Sequence, residues 1–552
     1  MTVGMFALVA ACLGVLNPQS ADRVVFVDKE GVMRWEDDRS EVALMGVNYY
    51  VPFNWDYRQI VKKGLSHKDV IRRDVAHFRR LGVEVLRMHC HDSDISRADG
   101  SLRENEHLDL MDFLIAQCAS NGIYSVLTPI AAWGGDWFSG AEEGFSYNVG
   151  VKKLFAERER WDAQIRYLKE FVRHKNPYTG KAIGEDPCVL CFELVNEPKY
   201  PKEATGAEIA SYANTLREAL REGGTAKPVF YNATWATYAD KIDKGLEALP
   251  YLKTEGVSGV CYCPGLLNRK AHEGSMLGKV RKSTLGIVPP DCRLAKLIYE
   301  FDAADVPGAY MYPAMAAVFR RDGAQIAAQF QYDPLPTADE NLSYQTHYLN
   351  LFYTPAKALS LSVAIEAFKA LPRHVEYRPH TNEIAFSSFR VNAMSNISEC
   401  VSGSGFCYSS STKTVPPEAG RLRRIWGRGR SPVAASSGSG AYFLDRISDG
   451  CWLLQIGPDV EELADPYTGK KGIKRRLIKR KIAFGVRLDD LGADFYVLDA
   501  RDLKLYARAQ KGRFFLEPGS YFLSRKEKIA PVKELETLIE SFDLKTELVV
   551  GR

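Results

Sequence analysis

Between residues 43 and 372 the chain alternates eight times between a short apolar run and a longer amphipathic one. The apolar runs are "ALMGVNYY" (43–50), "VEVLRMHC" (83–90), "YSVLTPI" (124–130), "VLCFELVNE" (189–197), "PVFYNA" (228–233), "GVSGVCYC" (256–263), "LAKLIYEF" (294–301) and "AAQFQYDP" (327–334). They are too uniformly apolar to keep one face in water, which is the mark of parallel strands covered by helices. Helical periodicity falls at 66–82, 108–121, 157–175, 206–222, 239–249, 310–322 and 346–371. In the first of these, Ser66 and Asp69 resemble a capping box, and Gly82 stops the helix. Only 264–293 lacks a convincing helix. Eight strand–helix units close into a (β/α)8 TIM barrel, so the fold class is α/β. An open doubly wound sheet is the alternative, but no glycine-rich phosphate loop follows the first strand, and its usual cofactor has no support.

From residue 373 the texture changes to short alternating runs separated by Gly, Ser and Pro, such as "EIAFSSFRV", "GAYFLDRI" and "CWLLQIG". This reads as a smaller, all-β, sandwich-like region. A chain of 552 residues, 46% hydrophobic, has enough apolar material for both. The layout is then a leader at 1–22, a barrel at 23–372 and the β region at 373–552. The leader's apolar run is of signal-peptide length, too short to span a bilayer, and "LVAAC" also matches a lipoprotein cleavage box. The expectation is a secreted or periplasmic protein, with a lipid anchor as the alternative and no membrane span. The net charge of +4 is dispersed, which argues against a nucleic-acid partner. The densest basic run, 469–481, is interleaved with Ile473, Leu477 and Ile478 and reads as a solvated strand or hairpin. Eleven cysteines form neither a dense disulfide framework nor a zinc pattern. Cys188 and Cys191 read as buried thiols. Cys400 and Cys407 are the pair expected to be bridged if the chain is exported.

In a barrel the working groups lie at the C-terminal strand ends. Those ends carry Asn48, Arg87, His89, His91, Trp133, Trp137, Asn196, Glu197, Asn232, Trp235, Tyr262, Glu300, Asp302, Gln331, Tyr332 and Asp333. Strands four and seven lie across the mouth from one another, so Glu197 and Glu300 can face each other. A pair of carboxyl groups flanking a bond is what glycoside cleavage requires, one donating a proton while the other attacks or activates water. Arg87 would keep the attacking carboxylate ionised, and Tyr262 would hydrogen-bond to it. Trp133, Trp137, Trp235 and Tyr332 would offer flat surfaces to sugar rings.

Over residues 40–372 the chain resembles a clan A glycoside hydrolase, nearest to family five, the cellulase and mannanase family. "FELVNEP" is similar to that family's strand-four motif and "LIYEFD" to its strand-seven nucleophile strand. Glu197 and Glu300 stand 103 residues apart, room for three βα units. The resemblance implies Glu197 as acid/base, Glu300 as nucleophile and Asn196 as the amide on the sugar 2-hydroxyl. It also matches Arg87 on strand two and Tyr262 on strand six; from their strand-end places, Asn48 reads as a further sugar contact and His89 as a sugar contact or a structural hydrogen bond. It implies a retaining mechanism on β-linked glycan, with carbohydrate as the partner and no cofactor or metal. The chain departs from the family at strand six, where "VCYCPG" lacks the usual histidine, and at strand eight, where Gln331 and Tyr332 stand in place of a tryptophan.

Plainer readings compete. "NEP" alone can be a strand-end turn. Glu193 shares its strand parity with Glu197 but lies deeper, which favours an internal hydrogen-bonded role. Lys296 has the parity of Glu300 and is the expected partner of Glu193 inside the barrel. His89 and His91 alternate, so a metal hydrolase is a third reading, although no third ligand is spaced for it. Asp302 reads as a loop or cap residue, and Trp426 and Trp452 as core. A barrel that binds carbohydrate without turnover is the alternative function.

Overall fold

A computed structural model describes residues 19–551, apart from 132–142, 234–243, 268, 282, 342–344, 378–381, 387, 417–418 and 544–548. Residues 1–18 of the expected leader and three of the expected aromatic walls, Trp133, Trp137 and Trp235, lie outside the described residues.

Eight strands form a closed barrel: β1 Leu44–Asn48, β2 Val85–His89, β3 Tyr124–Thr128, β4 Val189–Glu193, β5 Val229–Asn232, β6 Gly256–Cys263, β7 Ala295–Ala303 and β8 Ile326–Gln329. Every neighbouring pair is parallel, and β8 closes on β1 with Ile326 opposite Leu44. A short antiparallel hairpin, Val25–Val27 with Met33–Trp35, precedes the barrel. Helices fall where periodicity places them. In His67–Leu81, Ser66 Oγ accepts from Asp69 N–H at 3.3 Å, and Gly82 ends the helix at φ +77°. That helix buries Ile71, Val75 and Phe78, each contributing about 2 kcal/mol of apolar transfer. Between β6 and β7 the segment read as a poor helix holds only the 3-10 turns Leu277–Lys279 and Thr284–Ile287.

Two helical readings change. The long helix expected at 346–371 is Pro355–Ala370. Proline is well placed at a first turn, where no N–H is needed, and Asn350 and Thr354 turn the chain before it through mutual hydrogen bonds. Of the helix expected at 239–249, the described part is Lys244–Glu247 followed by the 3-10 turn Leu249–Tyr251.

Gly46 on β1 sets a limit on packing at the barrel wall. A β-carbon there would meet Val85 O at 1.8 Å and Val83 Cγ1 at 3.0 Å. The strands cannot close around a methyl group without shifting. Gly46→Ala is expected to destabilise the protein by about 3 kcal/mol, read by thermal or denaturant melts.

The C-terminal region is mostly β, with one short α-helix at Glu536–Glu540. A ten-stranded sheet runs from Glu383–Phe386 to Leu505–Arg508. A three-stranded sheet of Ala434–Ser436, Ile482–Val486 and Arg513–Leu516 shares a core with it, built on Phe406, Tyr442, Trp452, Phe484 and Phe514. The basic run is a strand, Arg475–Lys479, antiparallel to Asp459–Glu462. Trp426 and Trp452 are buried, as expected of core residues.

Barrel and β region share one apolar cluster that runs from Val47 and Phe78 through Leu359 and Phe368 to Cys400, Trp426 and Phe443. Arg80 adds a buried ion pair to Asp445 at 2.5 Å across the same boundary. All ten cysteines among the described residues are free thiols, Cys400 and Cys407 included. Those two stand opposite each other on paired strands, but Cys407 Sγ turns to Leu359 O at 4.0 Å. The bridge expected for them is absent.

Candidate active site

The polar strand ends do converge, around a buried hub. Glu193, at the end of β4, is fully buried inside the barrel. Its Oε2 accepts from Arg87 Nε at 2.9 Å and from Thr128 Oγ1 at 2.8 Å. Its Oε1 accepts from Asn232 Nδ2 at 2.8 Å and from the Ser258 hydroxyl. Strands β2, β3, β5 and β6 therefore all donate to one carboxylate held on β4.

Arg87 carries that charge upward. Its Nη1 donates to Glu300 Oε1 at 2.9 Å and to Asn48 Oδ1 at 3.0 Å, and its Nη2 donates to Asn196 Oδ1 at 2.9 Å. Burial disfavours the guanidinium, but Glu193 and then Glu300 outweigh it, so Arg87 is held charged. Asn48 and Arg87 are thus buried beneath the mouth and brace it through hydrogen bonds to protein groups. Asn48 is fully buried, with Nδ2 donating to Tyr299 O at 2.9 Å and Ala328 O at 3.2 Å.

Glu300 reaches the same cluster because β7 bulges. Against β6 the register runs Gly259↔Ile298 and then Val260↔Glu300, and against β8 it runs Ala327↔Ile298 and then Gln329↔Phe301. One extra residue at Tyr299 resets the alternation, so Tyr299 and Glu300 both face inward. Lys296 consequently faces out and donates to Asp322 O at 3.3 Å. The pairing of Lys296 with Glu193 expected from strict parity does not occur.

Glu300 Oε2 accepts from the Tyr262 hydroxyl, and His89 Nε2 lies 3.1 Å from Oε1. Burial raises the Glu300 pKa, but the contacts from His89, Arg87 and Tyr262 hold it below the usual carboxylate range. Burial and the charge of Arg87 lower the pKa of His89, keeping its imidazole neutral. Across the mouth, Asn196 N–H bonds to Ile130 O at 2.9 Å and extends the pairing past β4. Glu197 follows at φ +43°, a strained conformation that costs about 1 kcal/mol or more in a non-glycine residue. Its Oε1 accepts from the Tyr299 hydroxyl at 2.9 Å.

The wall residues differ from expectation at strand eight. β8 ends at Gln329 and the chain bends, so Tyr332 lies outside the mouth. It packs edge-on against Phe78 at 4.8 Å, with its hydroxyl 3.3 Å from His77. Phe330 takes the place at the mouth, 6.2 Å from the Tyr262 ring and 6.0 Å from Tyr50, which in turn stacks on His89 at 5.3 Å. Tyr50, Tyr299 and Phe330 are the residues that sequence reasoning passed over. Tyr50 and Phe330 stood at strand ends already listed, one or two places from the residues selected. His91 leaves the cluster, stacking on Phe53 at 5.8 Å. Among the described residues no three His, Cys, Asp or Glu side chains gather as metal ligands.

Fold and site together define a (β/α)8 barrel with Glu300, from β7, bonded to Arg87 at the mouth, and Glu197, just past β4, bonded to Tyr299. No family model matches the chain. Two curated relatives match a stretch of it. One is "Putative mannan endo-1,4-beta-mannosidase 9" of Oryza sativa subsp. japonica, 25% identical over 130 residues, which are 22% of this chain and 30% of that protein. The other is "Mannan endo-1,4-beta-mannosidase 2" of Arabidopsis thaliana, 22% identical over 121 residues, 19% of this chain and 26% of that protein. The chain thus spans less than a third of the length of either relative. Both names are in keeping with the resemblance drawn from the strand-four and strand-seven motifs. Among solved structures it is similar to the endo-1,4-beta-mannanase of Rhizomucor miehei, at 14% identity and TM-score 0.45, covering 63% of this chain and 100% of that one. It is also similar to the endo-beta-1,4-mannanase of Thermotoga petrophila, at 11% identity and TM-score 0.46, covering 87% and 98%.

Proposed function

We propose that the protein is a retaining β-glycosidase acting on mannan- or glucan-type glycans. Glu300 is the nucleophile and Glu197 the acid/base. One observation carries the reading: Glu300 is held ionised by the Arg87 guanidinium, with His89 and the Tyr262 hydroxyl against its oxygens, while Glu197 accepts from the hydroxyl of the neighbouring Tyr299. Glu300 attacks the anomeric carbon as Glu197 protonates the departing oxygen. Water, deprotonated by Glu197, then cleaves the glycosyl–Glu300 ester.

The test is a panel of β-mannan, β-glucan and β-galactan, with a 2-deoxy-2-fluoro glycoside as trap. Retained anomeric configuration and a label on Glu300 are expected. An inverted product, or a label elsewhere, removes the double-displacement reading. Export belongs to the same proposal, since polymeric glycan is met outside the cell, and fractionation of expressing cells checks it.

The Tyr262 bond favours the charged form of Glu300, so its loss raises that pKa. Tyr262→Phe is expected to move the acid limb of kcat/KM to higher pH, since that limb reports ionisation in the free enzyme. A limb that stays in place or moves down would count against Glu300 as the ionised group.

A further inference from the structure

Beside the mouth, the starts of two barrel helices enclose a second concavity. Trp161–Arg173 and Gly206–Gly223 follow β3 and β4, so both begin at the barrel end where those strands stop. Between them lies a cleft of about 350 Å³, inside the ~300–1,000 Å³ range of ligand sites. Phe155, Arg158 and Trp161 line one side of it, and Pro201, Glu203 and Glu208 the other.

The aromatic side is fixed in place. Trp161 Nε1 donates to Phe155 O at 3.0 Å, and the Trp161 ring lies 5.0 Å from that of Tyr212, tilted by 52°. Phe155 packs edge-on against Tyr200 at 5.0 Å and Tyr212 at 5.5 Å. The Arg158 guanidinium rests 4.0 Å over the Trp161 ring. An arginine on a ring keeps its in-plane N–H donors for another partner, and Arg158 makes no hydrogen bond or ion pair with the described residues. On the opposite side the N–H and hydroxyl of Thr205 both donate to Glu208 Oε2 at 2.8 Å, a helix cap that also holds this carboxylate at the lip. Glu203, exposed in the turn before the cap, likewise bonds to no described residue.

This lining selects a class of ligand. One cation stands among two carboxylates, so an anionic ligand would meet net repulsion. Aromatic and proline faces beside planar guanidinium and carboxylate groups suit the C–H faces and hydroxyl edges of a neutral sugar. The cleft is also tied to the mouth by one loop. Tyr200, whose ring meets Phe155, stands three residues after Glu197, and Pro201 follows it. A leaving group departs past the acid that protonates it, and the loop carrying that acid ends as a wall of the cleft.

We propose that the cleft binds a neutral β-linked glycan chain extending from the mouth on the leaving-group side, with Arg158 and Glu203 bonding its hydroxyls and Phe155 and Pro201 as its apolar walls. The inference rests on the glycosidase reading and makes polymer the preferred substrate. A chain that spans both places is held at the second by the high effective concentration the first creates, and a short fragment gains nothing from it.

The experiment compares β-mannan and β-glucan with short aryl glycosides in the full chain, for wild type, Arg158→Ala and Glu203→Ala. Both side chains are exposed, so the fold does not depend on them. Each substitution is expected to lower kcat/KM on polymer about 5- to 10-fold, with a loss below about twofold on the aryl glycoside. Arg158→Lys keeps the charge without the planar fork and should recover only part of the loss. Native gels cast with the same polymers read binding without turnover. Glu300→Ala protein should be retarded in them, and less so when Arg158→Ala is added. Equal losses on polymer and aryl glycoside, or no loss on polymer, overturn the inference and leave the glycosidase reading standing. Retardation by polygalacturonate in place of the neutral polymers makes the cleft an anion site and overturns it as well. A wild type inert on every substrate removes the glycosidase reading. The gel then decides the cleft alone: retardation weakened by Arg158→Ala upholds glycan binding there, and unretarded protein overturns it.

Discussion

Glu300→Ala is expected to abolish turnover, with kcat falling on the order of 10⁴-fold or more while glycan binding persists. The carboxylate lies where three donors converge, and nothing else in the cluster supplies an ionised oxygen at that place. Loss of the side chain leaves Arg87 and Tyr262 facing a cavity large enough for a small anion. Added azide, with an activated aryl glycoside, should therefore restore release of the aryl group and yield a glycosyl azide of inverted configuration. Glu197→Ala should behave differently. Its cost, about 10²- to 10⁴-fold, should shrink when the leaving group needs no proton. Equal losses in both variants on activated and unactivated substrates would refute the division of roles.

Glu193→Ala is expected to be the most damaging change to stability, at about 3–5 kcal/mol. The substitution removes a carboxylate that accepts from β2, β3, β5 and β6 at once and strands Arg87 in the barrel interior with only Glu300 for balance. Glu193→Gln keeps the volume but brings an amide donor against Arg87, so most of the loss should remain. Denaturant melts measure it directly. A loss below about 1 kcal/mol would mean that water, not Glu193, balances Arg87 in solution.

How much of this was legible in the sequence follows from what each inference needed. The barrel was visible because burial on both faces forces continuous apolar runs, and those runs recur at regular spacing. Glu197, Glu300 and Arg87 were visible because the fold sends strand ends to one mouth. Glu193 was rightly placed inside by depth, but its partner was not, because Lys296 and Glu300 share a face only if β7 is straight. A bulge is a relation between neighbouring strands and leaves no trace in one strand read alone. Tyr332 failed for a related reason: the strand stops at Gln329, and alternation beyond the last pair means nothing.

The extra residue in β7 also acts as a gauge. Tyr299 holds the Glu197 carboxyl through its hydroxyl, is itself held by Asn48 at its carbonyl, and is followed immediately by Glu300. The spacing between two acids on opposite sides of the barrel is thereby referred to a single peptide unit. Breathing of β4 against β7 would otherwise widen and narrow that gap. With the ruler built into one strand, the tolerance of the reaction is set by the stiffest object in the chain.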